Sequence, residues 1–299
     1  MSVPLKLLDW VPLEKLHWRY LSANRSPGAI ALLEKNPKKI DWISLSLNPN
    51  AIEILEKNIE HIIWVTLSEN PNAIKILENN QEHIRWDYLS QNPNAIGLLE
   101  KNPEKINWDL LSKNPNAIEL LEKNPEKIDW GYLPQNPNAI GLIEQNIDRI
   151  DWGWLSRNTN PNAIKILEQN PEKINWLWLS ANKSAIHLLE RNQDLIHWNF
   201  LSANENDKAV HLLEKNPERI SWMSLSANSS AKAIALLEKN QEHIHWDWFS
   251  SNPGIFEIDY LSMAKQRNAI LLQELMEVTW HPKRMVDWCL EYNDTYFEI

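Results

Sequence analysis

The sequence predicts an all-α solenoid of alternating α and 3₁₀ helices, with about eleven coils of 22–24 residues and helical caps at both ends. Two observations predict it. The motif W-x-x-[LF]-[SP] recurs at Trp18, Trp42, Trp64, Trp86, Trp108, Trp130, Trp152, Trp176, Trp198, Trp222 and Trp246. A second motif, read from Asn114 to Ile128 as N-P-N-A-I-E-L-L-E-K-N-P-E-K-I, lies between these tryptophans and returns ten times with small changes. The tryptophan spacings are 22 residues six times and 24 residues four times, so a heptad reading fails.

Within a coil, Asn114 is a favourable N-cap and Pro115 a favourable first helical residue. Ala117, Ile118, Leu120 and Leu121 fall on one helical face, which predicts a helix over Pro115–Lys123. Asn124-Pro125 ends it, because a residue before proline is driven out of the α region. Asp129 then caps a short segment, Trp130–Leu133, and Pro134, standing where other coils have Ser, restricts it to a single 3₁₀ or α turn. Two such short helices cannot bury their apolar faces alone, whereas stacked coils can. Stacking at about 9 Å per coil predicts a rod or superhelix on the order of 100 Å long. The two extra residues of the 24-residue coils fall after W-x-x-L-S, as in Arg157–Asn160 and Ala203–Asp207, and read as loop insertions on one edge. The division that follows is an N-terminal cap at 1–22, repeats at 23–252 and a helical cap at 253–299. That last cap reads as helices over about Ile258–Val278 and Lys283–Tyr292.

Composition narrows the chemistry. The net charge is −10 and only 6 glycines are present, with neither a dinucleotide nor a P-loop fingerprint. The acidic surplus speaks against nucleic acid as a partner, since that contact needs Lys and Arg in excess. Lys105, Lys127, Arg149 and Lys173 nevertheless stand in register and could form a basic inner stripe. A single cysteine, Cys289, excludes an intrachain disulfide and reads as buried core. No apolar run reaches the ~18 residues of a membrane span, and the first ten residues do not read as a signal peptide.

Several ladders invite site readings. The glutamate that follows the two aliphatics (Glu34, Glu56, Glu78, Glu100, Glu122, Glu144, Glu168, Glu190, Glu214, Glu238) is a cation ladder or, more simply, an acceptor for backbone N–H groups or indoles. Asn36, Asn58, Asn80, Asn102 and Asn124 read as a cap-and-turn ladder. His61, His83 and His243 take the place filled by Lys105, Lys127 and Arg219 elsewhere, a solvated basic slot rather than a metal site. No His and acid recur in register with the repeated Ser, so no hydrolase triad is expected, nor any enzyme or cofactor. The third position of the tryptophan motif is aromatic in seven of eleven coils. Tyr132, Trp154, Trp178 and Phe200 hold it in four successive coils, either as a solvent-facing stripe for a protein partner or as a second packing layer. The tolerance of Ser44, Thr66 and Ser224 at that position, and Gly131 and Gly153 beside the rings, favour partial exposure.

The N-P-N-A-I and W-x-x-L-S coils resemble tandem-repeat proteins of giant, nucleocytoplasmic large DNA viruses. The opening Leu8–Pro12 and the closing Asn252–Tyr260 with His281–Arg284 resemble that family's end modules. The coils are more distantly similar to the leucine-rich repeat variant, whose units alternate α and 3₁₀ helices. The resemblance implies the architecture and a viral source, hence host cytoplasm or virion as location. It carries no catalytic motif. It leaves two roles open, a scaffold for protein–protein interaction and a structural virion component, without fixing the oligomeric state.

Overall fold

The computed structural model describes residues 3–281 and 284–286. The chain falls into two compact units, one of residues 8–255 and one that joins the N-terminal residues up to 7 with those from 256 onward. In the larger unit every coil begins with a short helix headed by its tryptophan, such as Trp42–Leu47, Trp86–Ser90 or Trp198–Ser202. A second helix follows, such as Ile96–Glu100, then a 3₁₀ turn such as Pro103–Lys105. Coil 6 is the exception. Pro134 has no N–H to continue an α-helix, and Trp130 opens turns that lead into a 3₁₀ helix, Leu133–Gln135.

Two sequence expectations shift at the second helix. In the 22-residue coils it starts at Ile, not at Pro, for example Ile118–Glu122, and Asn114 is drawn into the core instead of capping it. In 24-residue coils the two extra residues do not bulge out as a loop. They supply an N-cap and a further turn, as in Pro27–Lys35 capped by Ser26, Pro161–Gln169 capped by Asn160 and Asp207–Glu214 capped by Asn206.

The core repeats coil by coil. The motif leucines (Leu21, Leu45, Leu67, Leu89, Leu111 and onward), the alanines Ala29, Ala73, Ala95 and Ala117, and the aliphatics Leu33, Leu55, Leu77, Leu99 and Leu121 are all fully buried. Against this dry layer lie two polar ladders. The asparagine at the N-P-N start is buried at every coil, and in ten of the eleven its amide bridges two carbonyls of the coil before, Asn204 reaching the Ser180 oxygen alone. Asn114 donates to the Ser90 and Asn92 oxygens at 3.0 and 2.8 Å, while its Oδ1 accepts from the Asn116 N–H at 3.0 Å. The motif serine donates to the carbonyl of its own tryptophan and accepts from the next coil. Ser90 Oγ bonds the Trp86 oxygen at 2.8 Å and receives the Asn107 N–H at 2.9 Å. Pro134 breaks the serine ladder at one step, but its carbonyl still accepts from Asn158 at 2.8 Å. Burying an amide costs several kcal/mol unless its hydrogen-bonding groups are satisfied, and here they are.

The ladders have no ends. Asn24 of coil 1 donates to the Ser250 and Asn252 oxygens of coil 11 at 2.9 and 2.8 Å, and Ser250 Oγ receives the His17 N–H at 2.8 Å. Coil 1 therefore succeeds coil 11 by the same bonds that link every other pair. Residues 8–255 form a closed ring, and the expected rod does not form. The physical reason lies in coil 11, which lacks a second helix of its own. Ile255 fills the alanine position, and its carbonyl accepts from the Leu8 N–H at 2.9 Å, as the Ala117 oxygen accepts from Leu121 within an intact coil. Residues 8–17 thus supply the missing half-coil. Trp10 stacks on Phe249 at 5.6 Å, Phe249 replacing the usual leucine, while Val11 and Leu16 are buried. The segments read as caps for two separate ends are two parts of one coil.

Consecutive tryptophan helices pack on one another all round the ring, whereas the second helices meet their counterparts at few places. Closer spacing means smaller radius, so the tryptophan helices form the inner wall. On the outside, long side chains bridge successive coils, as in Lys208–Glu190 at 3.2 Å and Lys183–Glu205 at 3.3 Å. Such exposed pairs contribute ~0–1 kcal/mol each.

In the smaller unit, Leu5–Leu7 pairs antiparallel with Phe256–Ile258, Leu5 opposite Ile258 and Leu7 opposite Phe256. The expected helix from about 258 is present as Tyr260–Thr279, capped by Asp259, whose Oδ1 accepts from the Ser262 N–H at 2.9 Å. Hydrogen bonds from Ser262 hold the Asp259 carboxyl below its ordinary value. Leu261, Leu271, Leu272, Leu275 and Met276 are exposed on this helix. The second expected helix lies largely outside the described residues, as does Cys289.

Ring closure makes coil 1 an interior coil, and a pair of substitutions checks it. Asn24→Ala and Asn114→Ala are each expected to lower unfolding free energy in urea by about 2–4 kcal/mol, because each strands two buried carbonyls and an N–H. A cost confined to Asn114→Ala contradicts closure.

Candidate functional site

The first residue of each tryptophan helix points towards the next coil. All eleven ladder tryptophans are half-buried, less enclosed than a core ladder would require. In nine of the eleven the ring face is covered by the residue two before the next coil's cap–tryptophan pair. Lys39 lies 4.6 Å from the Trp18 ring centre, Lys105 4.4 Å from Trp86, Lys127 4.5 Å from Trp108, Arg149 4.4 Å from Trp130 and Arg219 4.9 Å from Trp198. His61, His83 and His243 stack on Trp42, Trp64 and Trp222 at 4.5–4.6 Å. Lys15 closes the series 4.9 Å over Trp246, again across the joint. The slot read as a solvated basic position is thus an indole lid at these coils, and Lys105, Lys127 and Arg149 of the basic stripe are seated on aromatic faces. Each cation–π contact contributes ~0.5–1 kcal/mol where exposed.

The glutamate ladder is the other reassignment. All ten residues are exposed, so they do not serve as acceptors for buried N–H groups. Glu168 meets His187 at 2.8 Å and Glu190 meets Lys208. Among the described residues no group of three or more His, Cys, Asp and Glu is placed to hold a metal. The Asn36-type residues do form a capping ladder. Each returns its amide to the carbonyl four residues back, as Asn102 does to Leu98 at 2.9 Å and Asn124 to Leu120 at 2.9 Å.

On a helix that buries the motif leucine and serine, the third and sixth positions project directly away from the core, with the second position beside them. These three positions therefore face the centre of the ring. The third position carries Tyr20, Tyr88, Tyr132, Trp154, Trp178, Phe200 and Trp248. Tyr132 and Trp248 are exposed, at 38% and 42%, while Trp154, Trp178 and Phe200 are half-buried. The rings touch in sequence. Trp154 stacks on Trp178 at 5.6 Å, Trp178 meets Phe200 edge-on at 5.3 Å, and Tyr20 meets Trp248 at 6.0 Å across the joint. The row is thus both partly exposed and mutually packed. Of the two glycines beside it, Gly153 admits no Cβ without bringing it 2.9 Å from the Asp151 carboxylate, which caps the helix through the Trp154 N–H at 2.9 Å.

The sixth position interleaves cations with these rings. Arg157 lies 5.2 Å from Trp178 and 6.0 Å from Trp154, and Lys113 lies 6.0 Å from Tyr132. Gln135, Pro137, Trp154, Arg157, Asn158 and Thr159 enclose an indentation of about 290 Å³. Burial pushes the Glu69 carboxyl up, and Lys113, two coils further on, pulls it back. Of the four residues singled out from the sequence, Trp154, Trp178 and Phe200 are brought into contact, while Tyr132 holds the same register in the preceding coil and meets Lys113. Trp248 belongs to the same aromatic register, whereas Arg157, Lys113 and Glu69 were not singled out, because sixth-position residues vary from coil to coil and their place on the wall follows from curvature.

No family model, curated protein or solved structure matches the chain. Among the described residues, no helix is long and apolar enough to cross a membrane.

With cations seated on indoles and a net charge of −10, random DNA and RNA are expected to show no retention in a gel shift at ~150 mM salt. Micromolar retention at that salt contradicts the assignment of Lys105, Lys127 and Arg149 as lids.

Proposed function

We propose that the protein is a non-catalytic scaffold that binds a protein partner along the aromatic wall of its ring, with Tyr132, Trp154, Trp178 and Phe200 as the central contacts. The supporting observation is the half-exposed, mutually touching row on the inner wall, flanked by Arg157. Rigid aromatic rings and arginine provide large contact area at low entropic cost, which is why they dominate binding hot spots. The reading assigns no reaction and no cofactor. Its work is placed in the host cytoplasm or virion of a giant-virus infection, on the resemblance of the coils alone. The second reading, a structural virion protein, rests on the same resemblance and has no observation of the ring beside it.

The experiment is simultaneous substitution of Tyr132, Trp154, Trp178 and Phe200 by Ser, followed by proximity labelling and partner capture in cells, with circular dichroism as control. A retained helical spectrum with partner capture reduced at least tenfold is the expected result. Undiminished capture by the folded variant contradicts the reading. Three of the four rings are half-buried, so Tyr132→Ser with Trp248→Ser, at the two exposed rings, serves as a milder second variant.

A further inference from the structure

We propose that the occupant of the ring is a single amphipathic α-helix with one apolar and one basic face, held in the central opening. This rests on the inner wall being the docking surface and names what docks there. Size comes first. Eleven helices packed at ~8–10 Å place their axes on a circle roughly 28–35 Å across, and subtracting one helix diameter leaves an opening of roughly 17–24 Å. One α-helix of about 10–12 Å with its side chains enters that opening with room to lie against one side.

The wall is not uniform. Coils 8–10 present Leu177, Trp178, Ala181, Asn199, Phe200, Ala203, Met223, Ser224 and Ala227 at the three inward positions, without a charge among them. Met223 is 51% exposed there, so this arc offers apolar area to a ligand. Coils 3–5 lie across the ring and present Glu69, Asp87, Asp109 and Lys113, with Asp87 and Asp109 exposed. Coils 11 and 1, between the two arcs, present Asp247 and Arg19 at the second position, and Ile43 and Leu47 of coil 2, 52% and 41% exposed, border the acidic arc. A helix whose apolar face lies on coils 8–10 turns its opposite face to this acidic arc. Lysine or arginine side chains there cross the remaining gap, with their apolar stems lying along the helix. An acidic face would meet Asp87 and Asp109 with like charge, in a concave site where fields are less screened than on an open surface.

The probes are two synthetic 20-residue amphipathic helices, one of Leu and Lys and one of Leu and Glu, titrated into the full chain by fluorescence anisotropy at ~150 mM salt. The Leu/Lys peptide is expected to bind in the micromolar range and the Leu/Glu peptide at least tenfold more weakly. Met223→Glu, at an exposed position, should weaken the Leu/Lys peptide at least tenfold. Asp87→Lys with Asp109→Lys should reverse the preference, a readout independent of the apolar arc. Glu190→Gln with Glu214→Gln on the outer surface should change nothing. Equal binding of both peptides, or binding of the Leu/Lys peptide that only the outer substitutions weaken, overturns the proposal. So does no binding of either peptide. Partner capture lost in the Ser-substituted wall alongside no peptide binding would retain the docking surface and refute this occupant.

Discussion

The buried asparagine ladder is the constraint on which the rest depends. Each coil is too short to bury its own apolar residues, so it must be held at a fixed distance and register from its neighbours. A side-chain amide with two donors and one acceptor sets both, because the donors reach two carbonyls of the preceding coil while the acceptor pins the next turn of its own. In a dry environment a missed bond is costly, so the ladder permits one arrangement and disfavours slippage. The start of the second helix follows from it. The asparagine is drawn inward, the 22-residue coil begins its second helix at Ile, and the tryptophan helices become the closely spaced inner layer.

Closure is the second consequence. A stack with constant turn per coil either spirals or meets itself, and here the chain divides one coil between its two ends. Leu8 and Ile255 restore across a chain gap the bond that a continuous helix would make. Lys15 over Trp246 and Asn24 over Ser250 and Asn252 restore the other ladders. At that joint the Asn24 amide keeps both acceptors and the Trp246 indole keeps its lid. An open solenoid needs polar capping units for the same purpose. The inner wall of a ring also converges, which turns a row of aromatic side chains from a ridge into the lining of a cavity.

Much of the fold was legible in the sequence, because it is carried by residues that repeat. Coil length, the two-helix unit, the 3₁₀ turn at Pro134 and the capping role of Asn124 follow from local chemistry that a periodic pattern exposes. Lys15 already stood in the slot of Lys127, and Leu8–Pro12 read as an end module, yet curvature is a small angle per coil that no single residue encodes. The aromatic row was legible as a register, whereas its companions Arg157 and Glu69 were not, since they vary from coil to coil. The tryptophan lids were missed for a simpler reason. A basic residue next to an acidic one reads as solvated until the preceding coil is placed beneath it.

The most direct test of ring closure is the distance between coils 1 and 11. Spin labels on cysteines replacing Ala23 and Ser251, at the sixth position of the first and last tryptophan helices, report it by pulsed dipolar spectroscopy. A closed ring predicts a narrow distribution centred below about 25 Å, one coil step plus the label arms. A broad or absent modulation corresponding to more than about 60 Å would mean that ten coil steps separate the labels and that the stack is open.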